Sequence, residues 1–410
     1  DAPNLIVASP HESATYHLGE ALVDVNELLY SERWGLSKED ISDYFLSYFY
    51  QDVFPRFDNI RLGFPTQGSM EVMGYNQNWL RELGRDLPPK TPDEFKEVSC
   101  AAARQPYSGA TADGSIGYQL SVDATLFASW TFAFGGNIFD NDENQFTYDS
   151  PEAVAAMQFI QNLVNEGCAN LVTEHNGDQI EFSQGTAFFT VVSSPELPFY
   201  KNSVAAEANH SWSVAPIPHT SIEPVQNVSA SSVSIPKTNS ESELAAWLFL
   251  KFFTSPETQA KWASALNYMP VRASAALGLG DYFAANPAYA AAFEMLSSGT
   301  SEPPASAYYD VRDMVAEAMY AISQGADVVN VLTVLNDDAN AYLEEHLAMI
   351  PETPDPWANI DPSGQTVIFL HQQPPARHAI LEEIIWKFNS TNKWGITVVA
   401  EYQDDISEKT

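Results

Sequence analysis

Basic residues are scarce in this chain. Its 410 residues hold 19 lysines and arginines against 54 aspartates and glutamates, a formal charge of −35. A nucleic-acid partner needs a cationic footprint to neutralise phosphates, and none is present. Anionic membrane surfaces are poor partners on the same ground. No apolar stretch approaches the ~18 residues that a transmembrane helix needs. No charged segment followed by an apolar one opens the chain, so no signal peptide is expected in it. Only two cysteines occur, Cys100 and Cys168, without CxxC or CxxH spacing, which argues against a metal site. They would be free thiols in a reducing compartment and could pair outside one. There is no GxSxG, HExxH, P-loop or GxGxxG in its strand–helix context. The glycines of FAFGGN lack the spacing and the context of a phosphate cradle. No internal repeat is visible.

What is present suits a folded chain. Hydrophobic residues make up 45% and aromatics 12%, enough to bury a core. The length fits about two or three domains of roughly 100–200 residues. Apolar runs and helical periodicities alternate, the pattern of an α/β protein. Leu5 to Ala8 reads as a buried parallel strand. Arg61 to Asn76 reads as a strand, a polar turn and a second strand. Thr91 caps a helix from Pro92 to Ala103, and Ser150 caps one that runs to Glu166. Thr186 to Val192 is a buried strand, and Leu244 to Phe253 is the most apolar helix. Helices over 311–324 and 329–350 follow. The segment 351–364, PETPDPWANIDPSG, is proline-rich and aperiodic, hence a linker. Beyond it a fresh strand–helix–strand unit spans Thr366 to Tyr402.

These segments taken together resemble a known family. APNLIVASPHESATY, GFPTQGSMEVMGYNQNWLRELG, FAFGGNIFD, EFSQGTAFFTVVSS, WSVAPIP, LAAWLFLKFFTSPETQAKWA, NYMPVRASA and AYYDVRDMVAEAM cover much of the chain. They are similar, in order, to the extracellular solute-binding proteins of ABC importers, the group that includes maltose-binding and glycerol-phosphate-binding proteins. The resemblance implies a two-lobed periplasmic-binding-protein fold of type II, with a hinge and a ligand cleft. It implies discontinuous lobes: 1–77, 229–300 and 365–410 in lobe 1; 78–228 and the helices of 301–350 in lobe 2; 351–364 as linker. In the family a unit like 366–403 stands first, so this chain looks circularly permuted, whether by nature or by engineering. Asp1 and Thr410 are then expected near one another on lobe 1. The alternative is an extra C-terminal unit that only resembles the family's head.

The resemblance also implies a small sugar-like ligand, no cofactor, no metal and no catalysis. It implies a membrane permease as native partner, a monomeric carrier, and an extracellular or periplasmic setting with room for a lipid anchor in the precursor. It supports a Cys100–Cys168 disulfide in the second lobe. Ligand contacts are expected first from Tyr308, Tyr309 and Arg312, since tyrosine offers both a ring face and a hydroxyl. His371 and Gln372 end the displaced strand. Ser9, His11, Glu12 and Ser13 end the opening one, where Ser13 could equally cap a helix. Gln67 and Ser69 lie in a candidate cleft lip. Asp123, Thr125, Trp130 and Phe134 are second-lobe candidates, although large aromatics are more often core. Ser193, Ser194, Ser229 and Ser231 fit close ligand approach or plain turn chemistry. Arg272 matches a conspicuous family position with either an interlobe or a structural role. The competing reading is an acidic extracellular glycoside hydrolase of α/β build. Among 54 carboxylates, a catalytic pair could arise by chance.

Overall fold

The backbone of Phe64–Asn76 organises the molecule. In this computed structural model, which describes residues 3–305, 307–347 and 361–402, those thirteen residues form one continuous strand. The polar TQGS stretch, expected to turn, runs straight through it. Along TQGS one edge is paired with Gln226–Ser234, and on the rest Gly68 bridges Met269 while Gln259 and Tyr48 donate to the Thr66 and Ser69 carbonyls, so these polar residues have backbone partners and need no solvent. Its first half pairs antiparallel with Gln226–Ser234, from Phe64 opposite Val233 to Met70 opposite Val228. At Glu71 it changes partners: Glu71 to Tyr75 pair antiparallel with Ser193 to Phe189 of the strand Ala187–Ser193. Gly68 is required here. A Cβ at this position would lie 2.3 Å from the Tyr48 ring, whose hydroxyl donates to the Ser69 carbonyl at 2.8 Å.

Among the described residues the main sheet has eight strands. Its path runs Ile6–Ala8, Gln226–Ser234, Phe64–Asn76, Ala187–Ser193, Ile116–Leu120, Ala169–Leu171. Trp212–Ala215 joins the long strand, and Gly299–Ser301 runs parallel to Gln226–Val228. Helices cover the sheet in two groups, each with its own core. One gathers Trp247, Phe249, Phe64, Tyr48 and Leu29. The other gathers Trp79, Trp130, Phe127, Tyr118 and Met319. The helices Pro92–Arg104, Pro151–Asn165, Tyr308–Ser323 and Val328–Leu347 belong to the second group. Phe182, Leu197, Tyr200 and Val204, from the segment 78–228 expected in lobe 2, join the first core.

Capping explains several helix starts. Thr91 accepts from the Glu94 amide while Glu94 reaches back to the Thr91 amide, a reciprocal box ahead of Pro92. Ser150 accepts from the Ala153 amide ahead of Pro151. Cys100 and Cys168 are joined as a disulfide, closing a separation of 68 residues.

The unit after the linker is built into the first core. Thr366–His371 and Thr397–Tyr402 form a parallel pair. Leu5 pairs in parallel with Phe369, and the Asn4 amide donates to the Ile368 carbonyl at 3.4 Å. Val367, Phe369, Leu381, Ile384, Ile385, Phe388, Ile396 and Val398 are buried with Trp247 and Phe249. The expectation about Asp1 and Thr410, and most of the linker, lie outside the described residues.

Candidate functional site

Three chain crossings between the two cores meet at one place, and a cavity of about 400 Å³ opens over them. The long strand contributes Ser69 and Glu71, the strand Gln226–Ser234 contributes Asn227, Val228 and Ser229, and the third crossing contributes Ser301, Glu302 and Pro303. Ser9, Pro10, His11 and Gln51 line it from the side of the first core. Thr125, Tyr308, Tyr309 and Arg312 line it from the side of the second. A solute there touches both halves and the strands that connect them, the arrangement that hinge closure needs.

A charged knot holds one wall. Arg312 lies half-buried over the Tyr308 ring, its Nη1 on Glu302 and its Nη2 donating to Thr125 Oγ1 at 2.7 Å. Tyr308 donates its hydroxyl proton to Glu302 Oε2 at 2.7 Å, and Asn227 Nδ2 donates to Glu302 Oε1 at 2.9 Å. Burial disfavours the guanidinium, but Glu302, Tyr308 and Asp123 more than offset that and raise its pKa. The second wall is aromatic. Tyr309 is 60% exposed, and the His11 ring stands 5.4 Å from it at a tilt of 33°. Burial foremost, with Arg312 adding to it, lowers the His11 pKa against the opposing pull of Glu12, which favours the neutral ring. Ser9 gives its hydroxyl proton to the Glu12 carboxylate at 2.6 Å; its oxygen then accepts from His11 Nε2 at 2.8 Å, leaving His11 Nδ1 an acceptor.

Eight of the residues singled out in the sequence line this cavity: Ser9, His11, Ser69, Thr125, Ser229, Tyr308, Tyr309 and Arg312. The others stand outside its lining. Glu12 holds the Ser9 hydroxyl and amide, and Ser13 is buried against Ser234 at 2.8 Å. Gln67 accepts from Trp262 Nε1 and donates to Ser231. Asp123 caps the helix Ala124–Ala133 through the Leu126 amide. Trp130 is fully buried and donates to the Tyr118 hydroxyl, while Phe134 packs on Phe159. Ser193 bonds the Glu71 carboxyl, and Ser194 accepts from the Met70 amide. Arg272 is buried in ion pairs with Asp40 and Asp43, a tie within the first core. His371 is buried and stacked on His378, and Gln372 is exposed one residue beyond it.

Sequence reasoning missed Gln51, Glu71, Asn227, Ser301 and Glu302. Glu71 had a readable signal, a lone acid inside the apolar run MEVMGY. Burial foremost, then Asp123, Glu196 and Glu302, push its carboxyl up to about 8, with the Ser193 hydrogen bond opposing. Cys100, Cys168 and Glu166 cluster closely enough to hold an ion, but the two sulfurs are bonded to each other.

Two lobes joined by crossing strands, with a polar and aromatic cavity at the junction, define a solute-binding protein of the periplasmic type. Residues 1–291 match the bacterial extracellular solute-binding protein family, and the chain belongs to it. A curated relative is the sn-glycerol-3-phosphate-binding periplasmic protein UgpB of Escherichia coli K12, 23% identical over 217 residues, 52% of this chain and 49% of that one. The chain thus spans about half the length of the curated relatives it matches. Among solved structures, the cyclic alpha-maltosyl-1,6-maltose binding protein of Arthrobacter globiformis superposes with a TM-score of 0.69 at 19% identity over 84% of this chain and 85% of that one. UgpB of Mycobacterium tuberculosis, in complex with glycerophosphocholine, gives 0.66 at 23% identity over 85% of each. MalE of Xanthomonas citri, a sugar-binding protein, gives 0.68 at 18% identity over 84% of each. These likenesses establish the two-lobed fold.

Proposed function

We propose that this protein binds a polyhydroxylated solute, a sugar, oligosaccharide or polyol, in the cavity at the lobe junction and delivers it to an ABC importer without chemical change. The observation that carries this reading is the exposed Tyr309 beside His11, facing a wall of hydroxyl, amide and carboxyl groups. A ring face receives the C–H side of a sugar, and the polar wall receives its hydroxyls. Several relatives are named for carbohydrate ligands, which supports the choice of class. The acidic surface suits a monomeric extracellular carrier, lipid-anchored or free. A phosphorylated ligand is disfavoured, because the one guanidinium in the lining is held by Glu302.

A thermal-shift screen of sugars and polyols, with product analysis, tests this. A ligand at 100 times its Kd is expected to stabilise the protein by about 2.7 kcal/mol, with no product formed. Tyr309→Ala is expected to weaken binding about tenfold and leave the ligand-free melting temperature unchanged, since the ring is mostly exposed. Release of shorter sugars would overturn the binding reading in favour of a hydrolase.

The order of the chain is read as a circular permutation of the family's order. The packing of 366–402 beside the opening strand supports this. A chain rebuilt to begin at residue 365, opened within 351–364, with a crossover of about a dozen residues joining residue 402 to residue 3, is expected to fold and bind the same solute. Failure to fold would oppose the permuted order.

A further inference from the structure

The floor of the cavity sets a buried acid beside an acceptor that has no partner. Arg312 directs three of its five N–H donors at Glu302, Thr125 and the Tyr308 hydroxyl. The Ser9 proton goes to Glu12, and Ser69 Oγ donates to the Ser229 carbonyl at 3.4 Å. Two groups on the floor stand out: the Glu71 carboxyl, which burial keeps protonated until about pH 8, and Asn227 Oδ1. Asn227 is 2% exposed, and its Oδ1 is buried without a partner while its Nδ2 serves Thr125 and Glu302. Glu71, 9% exposed, and Asn227 are each one residue beyond the Met70–Val228 pair on their two strands, which brings them side by side across the floor. Both line the cavity.

The charged groups that face Glu71 are of one sign. Ser193 bonds it from the neighbouring strand. Asp123, at the start of the helix Ala124–Ala133, Glu196 in the turn Ser194–Glu196, and Glu302 in the third crossing all add negative potential. Among the described residues that line the cavity, Arg312 is the one cation, and Glu302 holds it. A neutral ligand leaves that excess of acids in place, with Glu71 held protonated as closure removes water. A cation corrects it.

We infer that Glu71 and Asn227 Oδ1 form a seat for an ammonium group, so that the preferred ligand is an aminated sugar or polyol. This rests on the reading of the cleft as a site for polyhydroxylated solutes and adds a charge to it. Closing the lobes on such a ligand places a positive charge where the long strand changes partners. Glu71 then gives up its proton to solvent and meets the ammonium as a carboxylate.

Two matched pairs of probes test the seat: 1-amino-1-deoxy-D-glucitol against D-glucitol, and 1-amino-1-deoxymaltitol against maltitol. Each pair differs only in the amine, an alkyl amine protonated at pH 7. By titration calorimetry at pH 7, the amine of at least one pair is expected to bind about tenfold tighter than its alcohol. Its heat is expected to vary with the buffer's ionisation enthalpy in the sense of proton release. In Glu71→Gln the preference is expected to shrink to within about twofold. Should that variant fail to fold, the buffer dependence of the wild-type protein decides, and absence of proton release overturns the seat. Alcohols or neutral sugars that bind as well as the amines overturn the seat alone. No binding by either pair or by any neutral sugar overturns the solute reading together with it.

Discussion

Replacing Cys100 and Cys168 together by serine is expected to lower the stability of the protein by about 4 kcal/mol, the chain-entropy value for releasing a loop of this size. The bond closes a separation of 68 residues. That loop includes the strand Ile116–Leu120 and the helices Ala124–Ala133 and Pro151–Asn165, so cutting it frees much of the second lobe in the unfolded chain. The native side is also sensitive. Both cysteines are buried. Cys168 leads into Ala169–Leu171, a three-residue strand at the end of the sheet path, with few ladder bonds of its own to hold it. Gly117 shows how closely the parts meet: a Cβ there would lie 2.0 Å from the Ser99 carbonyl oxygen and 2.5 Å from that of Cys168. Denaturant unfolding of the double variant, and of the wild-type protein under reductant, measures the effect. A loss below about 1 kcal/mol would show that the disulfide merely decorates a lobe already fixed by packing. Neither cysteine lines the cavity, so affinity for the solute is expected to persist in the folded double variant.

The parts of this fold that could be read from the chain are those where local chemistry and tertiary context agree. The helix Pro92–Arg104 has its capping box and proline start, and Ser240–Phe253 carries an apolar run too long for a strand. The long strand failed as a local reading because TQGS has the composition of a turn. What keeps it extended lies elsewhere in the chain: Gln226–Ser234 along one half, Ala187–Ser193 along the other, and the Tyr48 ring over Gly68. The site divides the same way. Tyr308, Tyr309 and Arg312 stand together on the first turns of one helix and could be found as a cluster. Glu302 stands before Pro303 and Pro304 with no local mark. Its role exists only because Asn227, 75 residues away, and the start of that helix converge on its carboxylate. Large aromatics misled for a plain reason. Trp130 and Phe134 have the same composition as a sugar platform, but their helix carries apolar residues on nearly every face and is enclosed by the second core.

At pH 8 the ligand-free Glu71→Gln variant is expected to be more stable than the wild-type protein, by about 3 kcal/mol as an order of magnitude, and near pH 5 the two are expected to be about equal. In the unfolded chain the Glu71 carboxyl loses its proton near its ordinary value of 4.5; in the folded protein burial foremost, and then Asp123, Glu196 and Glu302, hold it until about 8. Between those values the native state binds more protons than the unfolded state, so the Glu71 contribution to stability falls as pH rises through the window. Glutamine has nearly the same shape and no charge at any pH, so the difference between the two proteins isolates this one group. Other groups titrate in the same range. Burial lowers the pKa of His210 to about 4 and also depresses His11, His17 and His371, so their contribution is present above about 6.5 and lost as pH falls. Burial raises Asp52 to about 6, against its Ser232 hydrogen bond and the Arg61 charge, and it acts in the same sense as Glu71. These effects occur in both proteins and cancel in the comparison. Melting temperatures of the pair at pH 5, 6, 7 and 8 give the result. A difference that stays flat would mean that Glu71 ionises as freely in the fold as out of it, and the cleft would then carry no uncompensated charge for a ligand to relieve. A difference that grows with pH, and that an aminated ligand abolishes while its alcohol does not, would tie the cost of the buried acid to the ligand it awaits.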